Sequence, residues 1–502
     1  MGSAQYLLAI DQGTTSTRAM VFDSTGRIVA TSSEALQQHF PQPGWVEHDA
    51  AEIWGSVVSV CRQAIKIAGG VENIAAIGIT NQRETTVIWD RHTGAPLHRA
   101  IVWQDRRTAE FCEQLRSQGV NDVVREKTGL VLDPYFSGTK LKYLLDKLDP
   151  DRTAARAGDI CFGTIDSWLI WKLTGGSVHA TDATNAARTM LYDIAGGQWD
   201  DDLLQVMNVP HQVLPQVKPS CADFGAAESR LFGKSLPISG VAGDQQAASI
   251  GQACFKPGMI KSTYGTGCFV LANTGLDKTL SANRLLTTVA YQLGDEVTYA
   301  LEGSIFMAGA TVQWLRDQMG MFGDAAETAA MAKAADPNSG VYLVPAFTGL
   351  GAPYWDAHAR GALIGLTRGA GKPEIVRAGL EAVAFQTRDL MIAIGADMAL
   401  AKLAEPARLR VDGGMVANDW FLQFLADILD MPVDRARMNE TTALGAAYLA
   451  GLEAGIYSNL ADIEHQWQAG ATFTPQMAND ERRQRYEGWQ HAVKRVLSQA
   501  EA

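Results

Sequence analysis

A few short stretches hold the residue types that do chemistry. Near the start, Asp11 is followed by Gly13, by the hydroxyls of Thr14, Thr15, Ser16 and Thr17, and then by Arg18. A turn of this composition presents backbone N–H groups and hydroxyls to an anion, a guanidinium to lie over it, and a carboxylate for a metal on the other side. A second turn of the kind, Gly265-Thr266-Gly267, stands between two extended runs of Met259–Ala272. Arg83 and Glu84, in Thr80–Thr85, set a cation and an acid side by side for one ligand, and Asp244, between Gly243 and Gln245, is a candidate general base. Each has a plainer reading as well: a hydroxyl-rich turn, a solvated pair of loop charges, a helix cap. Neither glycine run ends in Gly-Lys-Ser/Thr and no GxGxxG opens a helix, which disfavours a Walker loop and a dinucleotide fold.

These residues need elements to carry them. Tyr6–Ile10 reads as a strand stopping at Asp11, Ala19–Asp23 as its return and Ile28–Thr31 as a third strand, so the hydroxyl loop is the tip of a hairpin in a meander. Asp49 caps a helix whose Ile53, Val57, Cys61 and Ile65 share one face, and it feeds the wholly apolar run Ile74–Ile79. A helix leading into such a run predicts a parallel sheet, and Thr80–Thr85 then lies at a strand end where open α/β sheets carry ligands. Neighbours on a strand point to opposite faces, so Arg83 and Glu84 reach one ligand only if the backbone leaves strand geometry. Val87–Asp90 and Ile101–Trp103 read as a strand pair, Phe162–Leu173 as a tryptophan-rich buried helix, and Asp133–Lys140 as a loop presenting Tyr135.

From Ile238 a short strand leads through Gly243 to Asp244 and a helix of small residues, and Gly251–Gly258 reads as the boundary between two domains, 1–252 and 253–502. The second half repeats the plan. Tyr299–Gly303 leads to a helix with Gly309 and Gln313, and Arg410–Asn418 is a strand, an acid, Gly413-Gly414 and a helix start, which reads as a bare turn or as a place suited to a flat base. Thr441–Ala447 opens one more small-residue helix.

A hydrophobic content of 47% with 20% charged residues predicts globular domains, and a net charge of −12 disfavours nucleic acid and anionic membrane as partners. The six cysteines, without CxxC spacing, suit a reduced cytoplasmic chain, and the nine histidines lack zinc-ligand spacing. No apolar run reaches membrane-spanning length, and the start MGSAQYLLAI lacks an export pattern, so neither export nor membrane insertion is expected.

The order DQGTTSTR, NQRE, YFSGTK, GDQQAA, YGTGCF, PAFTGLGAPYW, RVDGGMVAN and TALGAAYLAG resembles the glycerol kinases of the FGGY carbohydrate kinase family, from about Tyr6 to past Gly451. The resemblance implies two actin-like (ribonuclease H-like) α/β ATPase domains with a cleft between them, and transfer of phosphate from MgATP to glycerol. It implies that Arg83, Glu84, Tyr135, Asp244 and Gln245 contact glycerol, with Trp103 and Phe269 as an apolar wall. Thr14, Thr15, Ser16 and Arg18 match phosphate positions; Thr266, Gly309, Gln313, Gly413, Gly414 and Asn418 match those around the rest of the nucleotide. Asp11 and Asp244 match the acids around Mg²⁺, Asp244 also as the general base, with Arg18 assisting catalysis. Relatives of this kind form homodimers or homotetramers.

Three places depart from the pattern. Tyr143 and Gly379 replace more usual residues and look like packing changes, while Ser235 and Leu236 stand where relatives that bind fructose 1,6-bisphosphate carry an arginine, implying weak or absent control by it. The rival readings are a sibling kinase acting on a longer polyol or ketose, and an actin- or chaperone-type ATPase; the Arg83, Glu84 and Tyr135 group argues against the latter.

Overall fold

The computed structural model describes residues 5–498; the opening residues, where the sequence shows no export pattern, and the ends of both expected domains lie in part outside them. The first lobe is built from β1 (Tyr6–Gln12), β2 (Ser16–Phe22), β3 (Ile28–Ala35), α1 (Ala50–Ile67), β4 (Ile74–Asn81), β5 (Leu236–Gly243) and α2 (Asp244–Gly251). Its six-stranded sheet runs from the short edge strand Ala226–Ala227 through β5, β4, β1 and β2 to β3. The meander β1–β2–β3 is antiparallel, whereas β4 and β5 add parallel to β1. Parallel addition buries β4 on both faces, which is why its sequence is continuously apolar rather than alternating. Asp49 accepts from the N–H groups of Ala51 and Glu52, fixing the start of α1, which packs Ile53, Val57 and Cys61 onto Leu8, Val21 and Ile77.

The second lobe repeats this order. It contains β6 (Ile260–Tyr264), β7 (Cys268–Gly275), β8 (Leu286–Leu293), β9 (Glu296–Ile305), α3 (Gly309–Asp317), α4 (Lys372–Leu400), β10 (Leu409–Asp412), α5 (Asp419–Leu429), β11 (Val433–Ala436), α6 (Thr441–Glu453) and β12 (Ala469–Phe473). Its sheet order is β8-β9-β7-β6-β10-β11-β12. The antiparallel β6–β7 pair with parallel β10 and β11 on its other side matches β1–β2 with β4 and β5. Two such sheets, each an antiparallel hairpin extended by parallel strands, make the actin-like (ribonuclease H-like) architecture. Phe385 of α4 and Phe421 and Leu425 of α5 cover one face of the second sheet.

The lobes meet through α6, which belongs to the second by sequence but packs on the first. Ala446, Ala447 and Tyr448 share a buried cluster with Leu7, Ala9 and Ala247. The approach is close enough that side chains have no room. A Cβ on Gly445 would sit 1.8 Å from the Ala247 carbonyl oxygen, and one on Gly251 2.0 Å from that of Thr441. Gly78 and Gly240, on β4 and β5, give the same clearance to Ala446 and Ala450.

Three expectations require correction. Val87–Asp90 pairs with Ile160–Gly163, while Ala100–Ile101 pairs with Glu47–His48; only the single bridge Thr86–Ile101 relates the two expected partners. Accordingly Phe162–Leu173 is not one helix: its head is that strand and the helix begins at Ile165. A short apolar run has no periodicity that separates strand from buried helix, and here the waiting partner strand decides. The expected loop Asp133–Lys140 is a loop only to Phe136, a helix beginning at Ser137, and the strand β8 and the 29-residue helix α4 carried no expectation.

Candidate active site

The loop after β1 closes tightly, with Gly13 N–H donating to the Ser16 carbonyl at 2.9 Å. It is braced from beneath by Gln82, whose side-chain amide donates to the Gly13 carbonyl and to Gln12 Oε1, both at 3.0 Å. Thr14, Thr15 and Ser16 remain accessible, but Thr17 is buried and its hydroxyl accepts from Ser56 on α1 at 2.8 Å. Thr17 therefore does not belong to the cradle, because strand alternation turns it toward the helix. Arg18 leaves the loop toward the other lobe, where its guanidinium pairs with Glu440 at 2.9 Å and stays half-exposed.

Across the cleft, α3 starts against the second hairpin: Gly309 N–H donates to the Gly265 carbonyl at 2.9 Å and Ala310 N–H to that of Thr266 at 3.0 Å. A Cβ on Gly309 would fall 2.5 Å from the Gly265 oxygen. Gly413, at φ +94°, lies against the Tyr264 backbone, a conformation and a clearance that only glycine accepts. Thr266, Gln313 and Gly414 are exposed beside them. Asn418 uses its carbonyl oxygen to cap α5 at Phe421 N–H and its amide to reach Thr328. These residues make a glycine-walled ledge on the second lobe.

Beyond β4, Glu84 adopts φ +60°, the departure from strand geometry that lets Arg83 and Glu84 share one site. Both are buried, at 2% and 1% exposure, so the solvated-pair reading is excluded. Arg83 Nε meets Asp244 Oδ1 at 3.1 Å, and its two terminal nitrogens reach Glu302 of β9 at 2.6 and 3.1 Å. Gln245 is buried next to Asp244 and accepts from Lys261 Nζ. Trp103 stacks edge-on to Tyr135 and to Phe269, with centroids 5.6 and 6.3 Å apart, and Arg83 lies 5.9 Å from the Phe269 ring centre. This wall, with Thr266 and Phe306, lines a cleft of about 1360 Å³.

Charge is tuned here. Burial pushes the Asp244 carboxyl above its ordinary range, against the pull of Arg83 and Lys261. Asp11 keeps an edge open to the cleft yet is pushed up to about 7, by desolvation first, opposed by Arg18 and reinforced by Asp244 and Glu440. Burial lowers Lys261 to about 8. The Asp244 charge raises Asp11, a repulsion that a cation between them would relieve, and both offer the oxygen donors that Mg²⁺ takes.

Arg188, Glu302, Lys261 and Gln82 were missed from the sequence. Glu302 alone gave a signal: an acid inside the extended run Tyr299–Gly303 must be exposed or paired, and it is wholly buried.

The chain matches the FGGY family of carbohydrate kinases, N-terminal domain, over residues 6–251 and the C-terminal domain over residues 260–454. It is 59% identical over 494 residues to a glycerol kinase of Brucella ovis, covering 98% of this chain and 99% of the relative. A glycerol kinase of Rhizobium meliloti is 58% identical over 493 residues, with 98% and 99% covered. Among solved structures, a Plasmodium falciparum glycerol kinase with ADP superposes with a TM-score of 0.91 at 38% identity, covering 99% of each chain. The gluconate kinase of Lactobacillus acidophilus shares the fold, with a TM-score of 0.86 at 23% identity and 98% of each chain covered. With both halves matched in order and the cleft residues assembled between them, the chain belongs to the FGGY family of carbohydrate kinases.

Proposed function

We propose that this protein transfers the γ-phosphoryl group of ATP to glycerol, giving sn-glycerol 3-phosphate and ADP. The observation that carries the reading is the meeting of Arg83, Glu84 and Asp244 beside an aromatic wall of Trp103, Tyr135 and Phe269. Arg83, Glu84, Gln245 and the Tyr135 hydroxyl satisfy glycerol oxygens, while Trp103 and Phe269 cover its carbon chain. A site made of buried hydroxyl-binding groups rejects analogues that lack the hydroxyls. Thr14, Thr15, Ser16 and Arg18 take the phosphates. Thr266, Gly309, Gln313, Gly413, Gly414 and Asn418 surround the rest of the nucleotide.

Asp244 acts as general base. As the glycerol oxygen bonds to phosphorus and the bond to the ADP oxygen breaks, the hydroxyl proton passes to its carboxylate, a contribution of about 10²–10⁴ in rate. The raised affinity of Asp244 for protons brings it nearer to operating pH. Asp11 and Asp244 would hold Mg²⁺, which when bound neutralises phosphate charge. Arg18 adds a fixed positive charge at the loop, and the lobes exclude water as they approach. The domain division we adopt is 1–252 and 253–502, the assembly a homodimer or homotetramer, and the location cytoplasmic; among the described residues no helix is long and apolar enough to cross a membrane.

The test is ADP release on a panel of glycerol, erythritol, xylulose and gluconate. Glycerol is expected to be turned over fastest; a faster longer polyol or ketose would replace the substrate, and polyol-independent ATP hydrolysis would replace the reaction class.

A further inference from the structure

Beneath the aromatic wall lie four charged side chains with almost no exposure: Arg83, Glu84, Arg188 and Glu302. Glu302 is their centre. Besides its two bonds from Arg83 it accepts from Arg188 at 3.0 Å, and Arg188 Nε donates to Glu84 Oε1 at 2.6 Å. The Arg188 guanidinium also lies 5.8 Å from the Tyr135 ring centre and 5.2 Å from that of Phe136. Arg83, Glu84 and Arg188 come from the first half of the chain, whereas Glu302 comes from β9 of the second lobe.

A buried ion cluster is weak evidence for added stability, since well-packed apolar residues serve the fold as well or better. Geometry gives a better account. Glu84 is held in a left-handed backbone conformation that persists only when its surroundings over-determine it. The surroundings are Ser137, whose hydroxyl donates to the Glu84 carbonyl at 3.1 Å, and Arg188, which fixes the carboxylate.

We propose that Arg188 and Glu302 are positioning residues of the polyol site, Arg188 orienting and charging Glu84 and Glu302 orienting Arg83, so that a strand of the second lobe completes a pocket presented by the first. This rests on the reading of Arg83 and Glu84 as polyol contacts. The Glu84 carboxyl lies above its ordinary range: burial raises it most, Arg188 first and then Arg83 pull it back down, and Glu302 pushes it up. Tyr135 and the Lys140 amine, which burial lowers to about 7, also act on it, and Asp244 stands beyond Arg83. Glu302 itself is held at about 2, against burial, by Arg188 and Arg83, so it is the fixed anion of the set. Without Arg188, Glu84 keeps a proton to higher pH and loses its role as acceptor.

The experiment is steady-state kinetics of the full chain with glycerol and MgATP from mildly acidic to mildly alkaline pH, with melting temperatures, for wild type, Arg188→Met, Arg188→Lys and Glu302→Gln. Arg188→Met is expected to raise the glycerol KM about 10–100-fold, the worth of a charge-assisted hydrogen bond, with the ATP KM unchanged. The acid limb of kcat/KM should move up by about one pH unit or more, and Arg188→Lys should bring it back toward wild type. Glu302→Gln, which keeps shape but not charge, should raise the glycerol KM as well. Wild-type glycerol KM and pH profile in Arg188→Met and Glu302→Gln, with or without a lower melting temperature, would overturn the proposal. So would an equal rise in both KM values, or an acid limb equally displaced in the Lys and Met variants. If Arg188→Met does not fold, Glu302→Gln decides by the same glycerol and ATP readouts. Should wild type prefer another polyol, the functional reading fails separately and the variants are scored on that polyol.

Discussion

Trp103 Nε1 donates to Thr14 Oγ1 at 2.9 Å, joining the wall of the proposed polyol pocket to the loop proposed to hold phosphate. One side chain thus touches both substrates' sites. Trp103→Phe keeps an aromatic face but removes the donor, so KM for glycerol and for ATP are expected to rise together, each about fivefold for one neutral hydrogen bond. A change confined to glycerol in initial-rate kinetics would show that the indole serves only the wall.

Asp244→Asn retains size and the acceptor for Gln245 N–H while removing the base. Coupled ADP-release assays are expected to show kcat lower by about 10²–10⁴, with the glycerol KM little changed. Retention of wild-type kcat would assign proton removal elsewhere.

Asp11 yields a stability prediction whose sign follows from its raised affinity for protons. A carboxyl lifted from 3.8 unfolded to about 7 folded favours the ligand-free fold fully below the lower value and loses that favour as pH rises through the upper one. Asp11→Asn should therefore raise the melting temperature of the ligand-free protein at pH above 7 and change it little in acid, while turnover is lost. Calorimetry on both sides of neutrality is the check, and a melting temperature lowered in alkali would contradict the assignment.

Arg18 is shared between the proposed phosphate site and Glu440, and its ion pair is partly exposed. Incoming phosphates compete with that carboxylate for one guanidinium. Glu440→Gln should tighten MgATP, but by no more than about fivefold, since exposed pairs are worth at most about 1 kcal/mol. Titration calorimetry would reveal it, and weaker binding would mean that Glu440 helps rather than competes.

Gly445→Ala places a methyl group 1.8 Å from a backbone oxygen of α2, where no side chain rotates away. Overpacking of this sort typically costs about 1–3 kcal/mol. A lower denaturation midpoint is expected, along with a lower kcat/KM despite the distance of this residue from the proposed chemistry. The exposed Gly55 on α1, where an added Cβ meets nothing, is the control.

Much of this was readable because it is local. A strand that stops at Asp11 or Gly243 announces itself in apolar runs and glycine, and alternation alone required the break that Glu84 makes at φ +60°. The ion cluster was not readable in that way. Arg188 and Glu84 are 104 positions apart, and Arg83 and Glu302 are 219, so only the folded chain brings them together. Phe162–Gly163 was taken into the following helix for a related reason, the pairing of their strand with Val87–Asp90 being a tertiary fact.

Where α6 crosses α2 and the strands β4 and β5, four glycines, Gly445, Gly251, Gly78 and Gly240, bring backbone up to backbone. Contact this tight fixes the seat of one half on the other, since a shift of α6 by a fraction of a turn would drive peptide into peptide. The alignment of the two halves thus depends on the absence of four methyl groups, any one of which would wedge them apart.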